Sequence, residues 1–131
     1  MKAKLSIIVL ILTVMIVAMV GCQNVIVHEI EIRLAPIHDV KILVNMSLPE
    51  QIIVYIKGGL ADSCTTFHEI ETQRSGNTIY IEVTTERPAD AVCAQVYSYF
   101  EKNVNLGSGF IRGESYIVDV NGITRTFNYL Q

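Results

Sequence analysis

Residues 115–130 read SYIVDVNGITRTFNYL, two short segments of β-branched and aromatic residues on either side of Asn121-Gly122. Asparagine followed by glycine tolerates the positive φ angles of a two-residue type I′ turn, and the flanking segments have the composition of strands, so the stretch reads as a β-hairpin. No helical periodicity competes with this pattern anywhere after residue 24. The hairpin therefore sets the class of the whole domain.

Working back from it, the same two-residue alternation recurs. Residues 78–85, TIYIEVTT, place Ile79, Ile81 and Val83 against Tyr80, Glu82 and Thr84, and follow a turn at Ser75-Gly76-Asn77. Residues 65–74, TTFHEIETQR, are a weaker strand. Residues 51–58, QIIVYIKG, put Ile52, Val54 and Ile56 on one face and end where Gly58-Gly59 interrupts the pattern. Residues 37–46 align Val40, Ile42, Val44 and Met46 opposite Asp39, Lys41 and Asn45, before a turn at Ser47-Leu48-Pro49-Glu50. Residues 25–34, VIVHEIEIRL, align Ile26, Ile30, Ile32 and Leu34 opposite Glu29, Glu31 and Arg33, and Pro36 ends the segment. A loop is expected at residues 86–90. A further strand is expected from residue 92, with Val92, Ala94 and Val96 opposite Cys93, Gln95, Tyr97 and Tyr99. Seven or eight short strands predict an all-β fold, a two-sheet antiparallel sandwich.

The N-terminus is of a different kind. Lys2 and Lys4 precede an apolar run from Leu5 to Val20 broken only by Ser6 and Thr13, the basic and hydrophobic regions of an export signal. The run is shorter than the roughly 20 residues that span a bilayer comfortably, though with Gly21 it nears the lower limit of about 17, so a plain N-terminal membrane anchor is the alternative. Met19-Val20-Gly21-Cys22 resembles the lipobox of bacterial lipoproteins, with Met19 where leucine is usual. The resemblance implies a signal peptide at residues 1–21, acylation of Cys22, a linker of only Gln23 and Asn24, and a sandwich domain at residues 25–131. Several acyl chains make a stable anchor where one does not. The protein is thus expected at the cell membrane or outer membrane, lipid-anchored, with its domain on the extracytoplasmic side.

Cleavage before Cys22 removes two lysines and takes the net charge from −3 to −5. A mildly acidic domain without a Lys/Arg cluster is a poor partner for nucleic acid. Export to an oxidising compartment leaves Cys64 and Cys93 as an even pair, read as a disulfide that faces outward and braces the loops around residues 58–64 and 86–90. No CxxC spacing supports a metal site.

Two resemblances bear on architecture. Gly113-Glu114-Ser115-Tyr116 ahead of residues 117–120 is similar to the corner tyrosine of immunoglobulin-like domains. More widely, GGLADSC, GNTIYIEVTTERPADAVC, FEKNVNLG and GESYIVDVNG resemble a group of small exported bacterial proteins without characterised activity. That resemblance implies an immunoglobulin-like sandwich and carries no chemistry.

Catalytic motifs are sparse in the sequence. HEIE occurs at residues 28–31 and again at 68–71, but neither copy supplies the second histidine of HExxH or lies on a helix. On a strand each histidine and the glutamate after it point to opposite faces. Glu29 with Glu31, and Glu69 with Glu71, read as solvated strand faces, with acidic patches for a hard cation such as Ca²⁺ as the alternative. Gly107-Ser108-Gly109 lacks the GxSxG frame, Gly58-Gly59 lacks the lysine of a phosphate loop, and no motif calls for a cofactor. Tyr97 and Tyr99, two apart on a strand, share a face and form a candidate platform for a sugar or a partner side chain. The competing reading packs them against Tyr80 or Tyr129.

The expected function is that of a non-catalytic binding or structural module of the cell envelope, meeting an envelope protein or glycan. One alternative is an enzyme acting on envelope polysaccharide through the strand-end carboxylates Asp62, Glu86, Asp90 and Glu101. Another is a protease inhibitor that offers an exposed Arg87-Pro88 loop. A pocket with facing carboxyl groups would favour the enzyme.

Overall fold

The computed structural model describes residues 29–45 and 50–129. The lipobox, Cys22, the linker and the strand positions Ile26 and Met46 lie outside the described residues. Eight strands and no helix are described: β1 (Ile30–Leu34), β2 (Ile37–Asn45), β3 (Gln51–Leu60), β4 (Thr66–Ser75), β5 (Thr78–Pro88), β6 (Ser98–Asn105), β7 (Ser115–Val120) and β8 (Ile123–Asn128). They form two sheets, as the alternating pattern requires. In the larger sheet, β5 carries β4 on one side and, on the other, β7 beside its first residues and β1 beside its last, with β8 outside β7. The smaller sheet runs β2-β3-β6. Most pairings are antiparallel, and β5 with β7 is parallel.

The core is the set of inward positions that the two-residue period selects. Val40, Ile52, Val54 and Ile56 from one sheet meet Ile79, Ile81, Val83, Val118 and Val120 from the other, all buried. At one end Tyr116 is fully buried and stacks on its cross-strand partner Phe127, with Phe110 edge-on to Tyr116. The Tyr116 hydroxyl accepts the Ile111 amide at 2.8 Å, the upstream backbone bond expected of a corner tyrosine. Asn121 and Gly122 hold φ of 47° and 88°, the geometry of the expected hairpin turn.

Four expectations change. The Gly58-Gly59 pair lies inside β3 instead of ending it. Glu86, Arg87 and Pro88 continue β5 instead of forming a loop, because β1 extends far enough to pair with all three and β4 reaches Glu86. Residues 91–97 lie outside any strand, and Val92 and Val96 are exposed, so the core assigned to Val92, Ala94 and Val96 does not form there. Most unexpectedly, β1 is inverted. Ile30, Ile32 and Leu34 are 49, 53 and 59 % exposed, while Glu31 and Arg33 line a cleft between the sheets. Register explains it: Ile32 pairs with Glu86 and Leu34 with Thr84, neighbours on the β5 face opposite Ile81 and Val83.

Candidate functional site

Consecutive glycines in a strand interior cost conformational entropy and have no side chain to pack, so their presence in β3 needs a reason. The reason is two aromatic rings on opposite faces. Gly58 pairs with Phe100 on the core side, and a Cβ there would collide with the Phe100 ring. Gly59 points to the outer face, where a Cβ would collide with the Tyr97 hydroxyl and ring. Each glycine is buried beneath the ring it admits. Phe100 then packs edge-on against Phe67 of β4, which ties the two sheets together.

On the outer face, Tyr97 is fixed over Gly59 by a hydrogen bond between its hydroxyl and His38 Nε2, 2.5 Å apart. The His38 ring meets Tyr97 edge-to-face at 5.7 Å and Tyr99 at 5.2 Å. Tyr97 and Tyr99 lie 5.4 Å apart at 72°, so they make an angled cluster instead of the flat platform expected of neighbours on one strand. The reason is that Tyr97 precedes β6, whereas Tyr99 lies within it. Both remain exposed, at 45 and 56 %. Neither packs on Tyr80 or Tyr129. Tyr80 is on the outer face of the other sheet, and Tyr129 sits beside Phe110 and bonds Glu50.

Polar groups surround the rings. The Lys57 ammonium lies 4.7 Å from the centre of the Tyr99 ring, a cation–π contact. Across the sheet, Lys57 is flanked by Asp39 and Glu101, and Tyr55 by Lys41 and Asn103. Lys41 pairs with Asp39 at 3.0 Å. That bond lowers the Asp39 pKa and raises that of Lys41. Desolvation, and then its hydrogen bond to Glu101, raises the Tyr55 phenol. The face thus offers exposed ring surface edged by groups that donate and accept hydrogen bonds.

The other sequence candidates do not converge. Asp62 is buried and pairs with Arg87 at 2.8 Å. Glu86 pairs with His68 at 3.0 Å and is half-buried at the register position of Ile32, while Glu101 lies on the outer face of the opposite sheet. Asp90 is in an exposed loop. Of these four carboxylates only Glu86 lines the cleft between the sheets. Arg87, expected on a displayed loop, is instead part of β5 with its guanidinium held by Asp62 and by the Ala91 carbonyl.

Cys64 and Cys93 are bonded, with Cα atoms 5.6 Å apart. The bond is half-buried and joins the two loops ahead of β4 and β6, reinforced by the Ser63 amide donating to the Ala94 carbonyl and the Ala94 amide donating to Ser63 Oγ. Asp62 is the one other metal-ligating side chain gathered with these two sulfurs among the described residues, and the sulfurs are consumed by their bond.

A cleft of about 220 Å³ opens between the sheets at the same end, lined by Glu31, Arg33, Gly59, Thr65 and Arg87 among others. His38 as partner of Tyr97 had no sequence signal, since the two are 59 residues apart. The Gly58-Gly59 pair was the signal available for a ring lying on the backbone.

A family model described as the ORF11 beta-sandwich domain matches residues 54–129. Two similar proteins of Herpetosiphon aurantiacus are both described as uncharacterised 10.2 kDa proteins. The one in the HgiCIIM 5′ region is 44 % identical over 87 residues, 66 % of this chain and 92 % of the relative. The one in the HgiBIM 5′ region is 46 % identical over 77 residues, 59 % of this chain and 93 % of the relative. No solved structure matches the chain.

Proposed function

The chain belongs to the ORF11 beta-sandwich domain family, and from that premise we propose that it is a lipid-anchored, extracytoplasmic binding module that holds a cell-envelope glycan against the outer face of the β2-β3-β6 sheet. The observation that carries this reading is the exposed cluster of Tyr97, Tyr99 and His38, seated on a glycine whose missing side chain makes room for it. A ring held in place loses little freedom on binding, and the C–H faces of a sugar pack on aromatic faces while neighbouring polar groups take its hydroxyls. Asp39, Lys57 and Glu101 share that face beside Tyr99 and would supply partners for those hydroxyls. The anchor rests on Met19-Val20-Gly21-Cys22 after a basic, apolar leader. The scattered carboxylates favour binding over hydrolysis.

Detergent-solubilised full-length protein, mixed with purified insoluble cell-wall polysaccharide, is expected to co-sediment with it, and Tyr99→Ala to weaken that binding about tenfold or more. Equal sedimentation of the variant, or none of the parent, would remove the reading. Mass spectrometry of the same preparation is expected to find a chain that begins at acylated Cys22.

A further inference from the structure

The inverted strand β1 has an edge as well as a face. Glu29 accepts a bond from the Ala89 amide and the Ala35 amide donates to Val83, so the odd-numbered residues from 29 to 35 turn their backbone groups toward β5. In an antiparallel ladder alternate residues point to opposite edges. The amides and carbonyls of Ile30, Ile32 and Leu34 therefore face away from β5, and among the described residues no strand pairs with them. An open edge carrying exposed apolar side chains is a template for another strand.

The sequence of that edge is complementary to itself. IEIRL, paired antiparallel with a second IEIRL about Ile32, sets Ile32 opposite Ile32, Ile30 opposite Leu34, and Glu31 opposite Arg33 in both directions. Each apolar contact is matched and each charge meets its opposite. Within one chain Arg33 bonds Glu31, both on the cleft side, so the two side chains already stand on the face where the partner's would arrive. A shift of one residue in either direction would set apolar residues against charged ones.

We infer that β1 is a homodimer edge, joining the β4-β5-β1 sheets of two copies of this chain through an isologous antiparallel pairing centred on Ile32. The partner is a second copy, because the charge pattern fits this strand's own reverse. The two outward stripes of Ile30, Ile32 and Leu34 would then run together beside Ile32 and Ile32 of the partner. This inference does not rest on the glycan reading, which concerns the other sheet.

The test uses two differently tagged full-length copies, expressed together and co-purified from detergent-solubilised membranes. Parent copies are expected to co-purify. Glu31→Arg alone places like charges opposite each other, as does Arg33→Glu alone, and each is expected to self-associate about tenfold more weakly. Expressed together, the two variants oppose Arg to Glu at both pairs and are expected to regain association with each other. This result separates an interface from the loss of the Arg33–Glu31 bond within one chain, because that bond is broken in both variants. Register is read by cross-linking: Ile32→Cys is expected to form a disulfide dimer and Ile30→Cys by itself not to. Failure of the parent copies to co-purify, unchanged self-association of both charge variants, or equal cross-linking at positions 30 and 32 would overturn the inference.

Discussion

The side chain of Asn121 completes the ladder at Val83. Its Oδ1 accepts the Val83 amide at 2.9 Å, and its Nδ2 donates to the carbonyls of Val83 and Ala35 at 2.8 and 2.9 Å. Val83 is where β5 passes from its neighbour β7 to its neighbour β1, so a gap in backbone pairing would otherwise open inside a sheet, next to a fully buried residue. The amide of Asn121 stands in for the missing strand.

Asn121→Gly keeps a residue suited to positive φ and removes those three bonds. It is expected to lower stability by about 1–3 kcal/mol in urea unfolding, since the Val83 amide and the Ala35 carbonyl are left without partners while the Val83 carbonyl keeps the Ala35 amide. Unchanged stability would mean that water fills the gap at no cost.

The Cys64–Cys93 bond closes a loop across a separation of 29 residues. Chain entropy gives it roughly 3.5 kcal/mol, so the Cys64→Ser, Cys93→Ser double variant is expected to unfold at clearly lower denaturant concentration. Because the bond anchors the segment that leads to Tyr97, the variant is also expected to show faster amide exchange over residues 91–97 than over β5.

Asp62 accepts from the Thr65 hydroxyl at 2.8 Å and from the amides of Cys64 and Thr65, and pairs with Arg87. The Thr65 bond leads in holding its pKa below the ordinary value of 3.8, with the Cys64 amide and Arg87 adding to it. The unfolded chain therefore binds this proton more readily. Stability from this group is fully present above the ordinary carboxylate range and is lost as pH falls through the depressed folded value. Unfolding free energy measured between pH 6 and 2 is expected to fall at the acid end, and Asp62→Asn to be less stable at neutral pH with a flatter acid limb.

Much of the fold was legible because its interior follows a single rule. Ile52, Val54, Ile56, Ile79, Ile81 and Val83 alternate and are buried, and Asn121-Gly122 turns as its φ angles allow. What misled was the same rule applied where no core lies behind the strand. Ile30, Ile32 and Leu34 alternate as cleanly as any segment, yet periodicity fixes only that they share a face, and pairing with Glu86 and Thr84 decides which one. Val92, Ala94 and Val96 alternate in a segment held by a disulfide and side-chain bonds and outside any ladder. Of the candidate site, Tyr97 and Tyr99 were visible as a pair. Their angle, and the parts of His38 and Gly59, depend on three chain segments meeting.

Gly59→Ala inserts a methyl group where the Tyr97 ring lies, and is expected to displace that ring from His38 while leaving Gly58, Phe100 and the core in place. Polysaccharide binding is expected to fall about as far as with Tyr99→Ala, with a much smaller change in unfolding midpoint than a core truncation causes. Binding retained by a folded Gly59→Ala variant would mean that Tyr97 need not be held.

The most direct test is to map the surface that a glycan touches, by titrating soluble cell-wall oligosaccharide into isotope-labelled, detergent-solubilised protein and following the backbone and aromatic NMR signals. Shifts are expected to concentrate at His38, Lys57, Tyr97, Tyr99 and Glu101, with the outer face of β1, β4 and β5 unmoved. Shifts confined to the Glu31–Arg87 cleft or to the opposite sheet, or no shift at saturating oligosaccharide, would contradict it.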